Sequence, residues 1–149
     1  MGARERQPET QLHLEKILLV PPERVFAAFV DAEQVRQWWG PAGSTVTGIQ
    51  FRAVEGTDYR IAMQPSEGDV FHIRGTFRAV EDPRCLAFTF LYEEPDPDDQ
   101  ETLVTLRFEP ADGGTRVVLD QGPFKTPARW ALHRDGWTQT LERLEQSLT

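Results

Sequence analysis

Two tryptophans and a histidine recur on the last segment of the chain at a spacing that could build a binding site. Trp130, His133 and Trp137 lie three and four residues apart, so they share one face of a predicted α-helix. An imidazole between two indoles has two interpretations. It is either a core histidine that bonds to a backbone carbonyl or a polar anchor for a ligand in a cavity.

A second aromatic pair lies near the N-terminus, in the segment VRQWWGP, residues 35–41. Val35, Trp38 and Trp39 stand at positions i, i+3 and i+4 of a short predicted helix, so the two indoles point about 100° apart around its axis. Either both tryptophans pack in the core, or one packs there and the other lines the rim of a cavity. The sequence leaves both alternatives open.

The sequence lacks the motifs of the common catalytic and metal sites. It contains no GxSxG elbow, no GxGxxG or P-loop pattern, and no HExxH. His13, His72 and His133 fall on different predicted elements, which argues against a three-histidine metal site. The single cysteine, Cys85, lies in the apolar run RCLAFTF and is interpreted as a small buried side chain. We predict no catalytic residue, no metal and no cofactor.

Length and composition predict one folded domain. The chain has 149 residues, of which 39% are hydrophobic and 10% aromatic, enough for a core in a single domain. Residues 1–10 are polar and aperiodic and are predicted to form a flexible tail before a domain over residues 11–149. Neither a membrane span nor a signal peptide is recognisable, so we expect the cytoplasm.

The net charge of −8 comes mostly from one segment, Tyr92–Glu101, which holds six acidic residues and no basic one. Without those six, 18 acidic residues face 16 basic ones. The absence of a basic patch argues against nucleic acid and anionic membranes as partners. The segment itself is interpreted as a solvated hairpin loop rather than a Ca²⁺ site, because its spacing is not that of an EF-hand.

The hydrophobic pattern predicts an α+β fold. A strand at residues 11–20 is followed by two short helices, by six strands with period-two patterning between residues 44 and 121, and by an amphipathic helix at residues 127–148. Short connections make the strands antiparallel. Because the one long helix is narrower than the sheet it must cover, the sheet has to curl around it. Gly136, inside that helix, indicates either a close backbone approach or vacant space.

This order of elements resembles the helix-grip fold of the START-like (SRPBCC) superfamily. Within it, VPPERVFAAFVDAEQVRQWWGP and HRDGWTQTLERLEQSL resemble the two ends of the family homologous to the C-terminal domain of the activator of Hsp90 ATPase. The resemblance covers Leu12 to Leu148. It implies a curved antiparallel sheet of six to seven strands, in the order β-αα-β6-α, around a long C-terminal helix. Where the family often has two glycines before its third strand, this chain has Gly56 and Thr57.

The resulting hypothesis is a protein that binds an apolar or aromatic small molecule between the sheet and the C-terminal helix. An enzyme that resembles polyketide aromatases and cyclases, with His133 or Tyr59 as acid or base, is an alternative. A chaperone-associated interaction domain is another, and a homodimer stays open. The residues assigned to ligand contact are Trp38, Trp39, Tyr59, Phe71, Phe88, Trp130, His133 and Trp137.

Overall fold

The computed structural model describes residues 10–94 and 96–148, which form one antiparallel sheet and three helices. In chain order the elements are β1 (Leu12–Leu18), α1 (Pro22–Val30), α2 (Ala32–Trp38), β2 (Thr45–Gln50), β3 (Asp58–Gln64), β4 (Phe71–Glu81), β5 (Cys85–Tyr92), β6 (Thr102–Ala111), β7 (Gly114–Gly122) and α3 (Pro127–Leu148). This arrangement confirms the predicted α+β helix-grip fold, with seven strands. The predicted tail lies outside the described residues, apart from Thr10.

The sheet is a meander to which the first strand is added at the far edge. Strands β2 to β7 pair in sequence, and β1 pairs with β7, so the order is β1-β7-β6-β5-β4-β3-β2. The register shifts between Phe77 and Ala79 in β4 and between Val46 and Gly48 in β2. Such irregularities bend strands and increase their twist. They contribute to the curvature that lets the sheet surround a helix.

The two faces of the sheet separate as the alternating pattern predicts. In β4, Ile73 and Phe77 are buried, whereas Arg74 and Arg78 are exposed. The inward side chains meet the apolar side of α3, where Leu141 and residues one turn on either side of it are buried. The core therefore lies between the sheet and α3, and α1 and α2 close one end of it.

Local signals explain where the helices begin. Pro22 opens α1, where its missing N–H costs nothing. The Asp31 carboxylate accepts a hydrogen bond from the Glu33 N–H and caps α2. The Thr126 hydroxyl accepts from the Arg129 N–H at the start of α3. Within the described residues, no helix combines the length and the apolar character needed to cross a lipid bilayer.

The turn before β3 keeps one glycine of the expected pair. Gly56 has φ +91°, a conformation that favours glycine. The Thr57 hydroxyl lies 2.7 Å from the carbonyl oxygen of Arg52 and 2.6 Å from that of Val54. A threonine side chain thus ties the turn together at the position where the related pattern has a second glycine.

Candidate functional site

A partly open pocket of about 450 Å³ lies between the N-terminal half of α3 and strands β3 to β5. Five aromatic rings form part of its walls, and one end is polar. The lining residues are Trp39, Gly40, Pro41, Met63, Phe71, Ile73, Phe90, Tyr92, Glu94, Asp96, Asp99, Arg129, Leu132, His133, Asp135, Gly136, Trp137, Gln139 and Thr140. A volume of this size is within the range of small-molecule sites.

The adjacent tryptophans have different surroundings. Trp38 is 0% exposed, its ring centroid lies 4.7 Å from that of Phe29, and its Nε1 donates to the Ala28 carbonyl oxygen at 3.2 Å. Trp39, the residue after α2, is 5% exposed and lines the pocket, 5.5 Å from the Trp137 ring. No described residue accepts a hydrogen bond from the Trp39 indole N–H. The arrangement matches the second alternative, because Trp38 packs in the core and Trp39 lines the cavity.

The chain after Trp39 is held against α3 by two polar side chains. Nη1 of Arg143 lies 3.3, 3.0 and 3.1 Å from the carbonyl oxygens of Trp39, Gly40 and Pro41. The Gln139 side-chain oxygen accepts from the Ala42 N–H at 2.9 Å. These bonds fix the segment that carries the Trp39 ring. The sequence gives no sign of this role for Arg143, because a basic residue near a helix end is usually solvated.

His133 lies on the wall of the pocket, 8% exposed, among three aromatic rings. The ring centroids of Phe124, Phe90 and Tyr92 are 4.8, 5.3 and 5.8 Å from that of the imidazole. Burial, with a further contribution from the Arg129 charge, lowers the pKa of His133 to about 4. The ring is therefore neutral at pH 7, with one donor and one acceptor nitrogen. No described residue hydrogen bonds to either.

A buried ion pair forms the polar end of the pocket. Nη2 of Arg129 lies 2.6 Å from Oδ1 of Asp99, and the two side chains are 19% and 6% exposed. Nε of Arg129 is buried without a hydrogen-bond partner among the described residues. Beside the pair, burial raises the pKa of Tyr92 to about 12, so its hydroxyl stays protonated at pH 7. No described residue bonds to that hydroxyl.

The structure brings four of the eight predicted contact residues together at the pocket: Trp39, Phe71, His133 and Trp137. The other four do not line it. Trp38 and Phe88 lie in the core. Tyr59 is buried, with its hydroxyl donating to the Thr89 carbonyl oxygen at 2.6 Å, and burial raises its pKa above the usual value.

The Trp130 ring makes its contacts outside the pocket. Its indole N–H donates to the Gln11 carbonyl oxygen at 3.0 Å, and the Arg134 guanidinium lies 4.9 Å from the ring centroid. Helical spacing correctly places Trp130 near His133. The missing information is the partner of the indole N–H, Gln11, which precedes β1 and is distant in sequence.

Three residues at the polar end were not predicted. Tyr92, Asp99 and Arg129 line the pocket, but the first two belong to the segment interpreted as a solvated loop. The available signal was the Tyr92 side chain, which continues the aromatic pattern of Phe88 and Phe90 on β5. The pairing of Asp99 with a residue on α3 has no signature in the local sequence.

Potential metal ligands come together where β4 begins and β5 ends, at His72, Glu93 and Glu94. Their side chains already have partners. Glu93 accepts two bonds from Arg60, at 2.7 and 2.9 Å, and Glu94 lies 2.6 Å from Nδ1 of His72. The group is an ion-pair network around the strand ends, and the pocket does not include His72 or Glu93.

Fold and sequence together define the class of protein. A family description, "Activator of Hsp90 ATPase homolog 1-like protein", matches residues 19–149. The chain belongs to this family, within the START-like (SRPBCC) superfamily. The same fold occurs in ligand-binding and polyketide cyclase-like domains.

Solved structures of other proteins have the same fold. The AHSA1 protein of Silicibacter pomeroyi is 29% identical, with a TM-score of 0.82 over 93% of this chain and 96% of that one. A Rhodobacter sphaeroides protein is 27% identical, with a TM-score of 0.77 over 94% and 90%. A Chromobacterium violaceum protein is 20% identical, with a TM-score of 0.83 over 93% and 96%. Among curated proteins, none matches the sequence significantly.

Proposed function

We propose that this protein binds an apolar or aromatic small molecule in the pocket between α3 and the sheet. The observation that carries the proposal is the combination of aromatic rings in the pocket wall with polar groups that have no partner among the described residues. Trp39 Nε1, the His133 ring and the Tyr92 hydroxyl all belong to lining residues, and no described residue bonds to them. Nε of Arg129 is the one buried side-chain N or O atom without a partner among the described residues, so these three groups are open to the pocket and can take hydrogen-bond partners from it. A ligand with an aromatic body and polar substituents would supply them.

An enzyme of the aromatase and cyclase type is the second candidate, favoured by the neutral His133 beside the protonated Tyr92, 5.8 Å between centroids. A general base works best when its pKa is near the working pH. Because the pKa of His133 is lowered to about 4, the imidazole is a weak base. Tyr59, the other predicted acid or base, is bonded to Thr89 and lies outside the pocket. These features rank binding ahead of catalysis.

A chaperone-associated role would require an exposed apolar surface for a protein partner. The large exposed hydrophobic side chains are distributed over β1, the turn after it, the loops before and after β3, strand β6 and helix α3. They are Ile17, Leu19, Val54, Val70, Leu103 and Leu132. Only Leu132 lines the pocket. We therefore favour a small-molecule ligand over a protein partner. The proposed compartment is the cytoplasm.

Substitution of Gly136 tests the proposal without loss of a native contact. Gly136 lines the pocket, and a Cβ added there would have no atom within 4 Å, so the vacant-space alternative holds. Gly136→Leu is expected to fill the pocket and weaken binding of 1-naphthalenemethanol, a neutral aromatic probe, by at least about tenfold. Isothermal titration calorimetry measures the affinity.

Gly136→Ala is the matched control. Alanine should stabilise the helix by up to about 1 kcal/mol, measured by urea unfolding, while most of the pocket stays open. A Gly136→Leu variant that folds and binds the probe as tightly as the unmodified protein would place the ligand elsewhere.

A further inference from the structure

The pocket has a strongly negative lining. Four carboxylates, those of Glu94, Asp96, Asp99 and Asp135, line it, against one guanidinium, that of Arg129. The neutral imidazole of His133 adds no charge at pH 7. The lining residues therefore carry a net charge of −3, the four carboxylates minus one guanidinium. A cleft lined by one sign of charge concentrates ligands of the opposite sign.

The single positive charge is already neutralised within the pocket. Arg129 and Asp99 form a close pair whose side chains are both largely buried. The remaining carboxylates lie toward solvent, on the loop after β5 and on α3. Glu94 contacts His72, and Asp135 contacts Arg134 at 3.0 Å. No described residue donates a hydrogen bond to the Asp96 carboxylate. The backbone N–H of Asp96 donates to the Asp99 carboxylate.

The inner part of the pocket offers groups that suit a cation independently of these acids. The lining rings of Trp39, Phe71, Phe90, Tyr92 and Trp137 have electron-rich faces that attract ammonium groups. His133 is more than nine-tenths buried, lines the same space, and has ring nitrogens with no partner among the described residues. The unprotonated nitrogen of a neutral imidazole can accept a hydrogen bond from an N–H⁺ group.

We propose that the ligand is an organic cation, an aromatic body that carries a protonated amine. This inference rests on the proposed binding function and specifies the charge of what is bound. The aromatic part lies against the rings of the inner pocket, and the ammonium group lies between these rings and the carboxylates of Glu94, Asp96 and Asp135. The acidic segment after β5 then has a role, since it supplies three of the four carboxylates.

An anionic ligand fits the same lining poorly. A carboxylate or phosphate in the pocket would face Glu94, Asp96 and Asp135, whose charges Arg129 does not neutralise. Among the described residues, the donor that the ion pair leaves unpaired is one buried N–H of Arg129. Repulsion among like charges in a partly buried space outweighs one additional hydrogen bond. The lining therefore selects against fatty acids and phosphorylated compounds.

Three probes with one aromatic body test the inference: 1-naphthylmethylammonium, 1-naphthalenemethanol and 1-naphthoate, titrated at pH 7 and low ionic strength. We expect the cation to bind about tenfold more tightly than the alcohol, and the anion more weakly than the alcohol. The double variant Asp96→Asn/Asp135→Asn should lower the preference for the cation over the alcohol to less than about threefold. Addition of salt should also lower the preference for the cation over the alcohol.

The double variant Glu55→Gln/Asp112→Asn is the charge-matched control. Both residues are exposed in turns and neither lines the pocket, so the preference should be unchanged. Equal or tighter binding of the alcohol or the anion overturns the cation inference and leaves the binding function intact. Failure of all three probes to bind overturns the proposed function itself.

Discussion

Replacement of Trp38 by alanine is expected to destabilise the protein by about 4 kcal/mol, more than the same change at the adjacent Trp39. Large-to-small substitution of a fully buried tryptophan typically costs about 3–5 kcal/mol. Trp38 is 0% exposed, and its loss also leaves the Ala28 carbonyl oxygen without the indole N–H. Urea unfolding followed by circular dichroism gives the free energy of unfolding.

Trp39→Ala is the matched variant. Because its ring lies against the open space of the pocket, we expect a smaller loss of stability, about 2 kcal/mol, and a weaker affinity for 1-naphthalenemethanol by about tenfold. The contrast separates a core tryptophan from a ligand-contact tryptophan one residue apart. Equal destabilisation by the two substitutions, with no effect of Trp39→Ala on affinity, would contradict the assignment.

Acidification from pH 7 to pH 4 is expected to remove about 3 kcal/mol of stability through His133 alone. Its pKa is about 4 in the folded protein, against an ordinary value of 6.5. Between these values the unfolded chain binds more protons than the folded one, so stability falls as the pH falls. The loss begins as the pH falls through 6.5 and ends only below pH 4, where the folded protein is protonated as well.

The measurement is the free energy of unfolding as a function of pH for the unmodified protein and for His133→Gln, which cannot titrate in this range. The difference between the two curves isolates His133 from the carboxylates. A difference that does not change between pH 7 and pH 4 would show that His133 is solvated rather than buried in its neutral form.

His13→Gln is the control with the opposite sign. His13 on β1 lies 2.7 Å from an Asp120 oxygen and 2.9 Å from a Glu15 oxygen. The hydrogen bonds to Asp120 and then Glu15 raise the pKa of this exposed imidazole. Its contribution to stability is therefore fully present below pH 6.5 and is lost as the pH rises through the raised value. Removal of His13 should not reduce the acid sensitivity caused by His133.

The fold follows from the sequence because its determinants are local. Alternation identifies the buried and exposed faces of β4, short connections force antiparallel neighbours, and Pro22 and Asp31 mark where α1 and α2 begin. Each signal spans a few residues, so it is visible without a structure. The bulge after Phe77 was not foreseen, since bulges depend on how a strand bends around its partners.

The candidate site is only partly predictable, because it depends on which distant residues the tips of the side chains contact. In β3 the alternating pattern puts Tyr59 among the buried residues. It does not reveal that a Cβ on Gly75 would lie 2.7 Å from the Tyr59 ring and 1.9 Å from the Thr89 oxygen. The glycine leaves room for the ring to pack across β4, and the hydroxyl bonds to β5. Tyr59, which was predicted to contact the ligand, is therefore part of the core.

Long-range contacts account for the residues that sequence reasoning missed. Arg129 pairs with Asp99, and Arg143 bonds to the chain around Gly40, about a hundred residues away. Neither contact has a periodic or motif signature. Both contacts depend on how α3 packs against the loop after β5 and the end of α2.

The indole N–H signals in a ¹H–¹⁵N correlation spectrum test the central claim most directly, because the four tryptophans lie in different places. Trp38 and Trp130 donate to backbone carbonyls away from the pocket, whereas Trp39 and Trp137 line it. On saturation with 1-naphthalenemethanol, we predict shifts of the Trp39 and Trp137 signals and no change for Trp38 and Trp130. Unchanged Trp39 and Trp137 signals, with binding confirmed by calorimetry, would contradict a ligand site between α3 and the sheet.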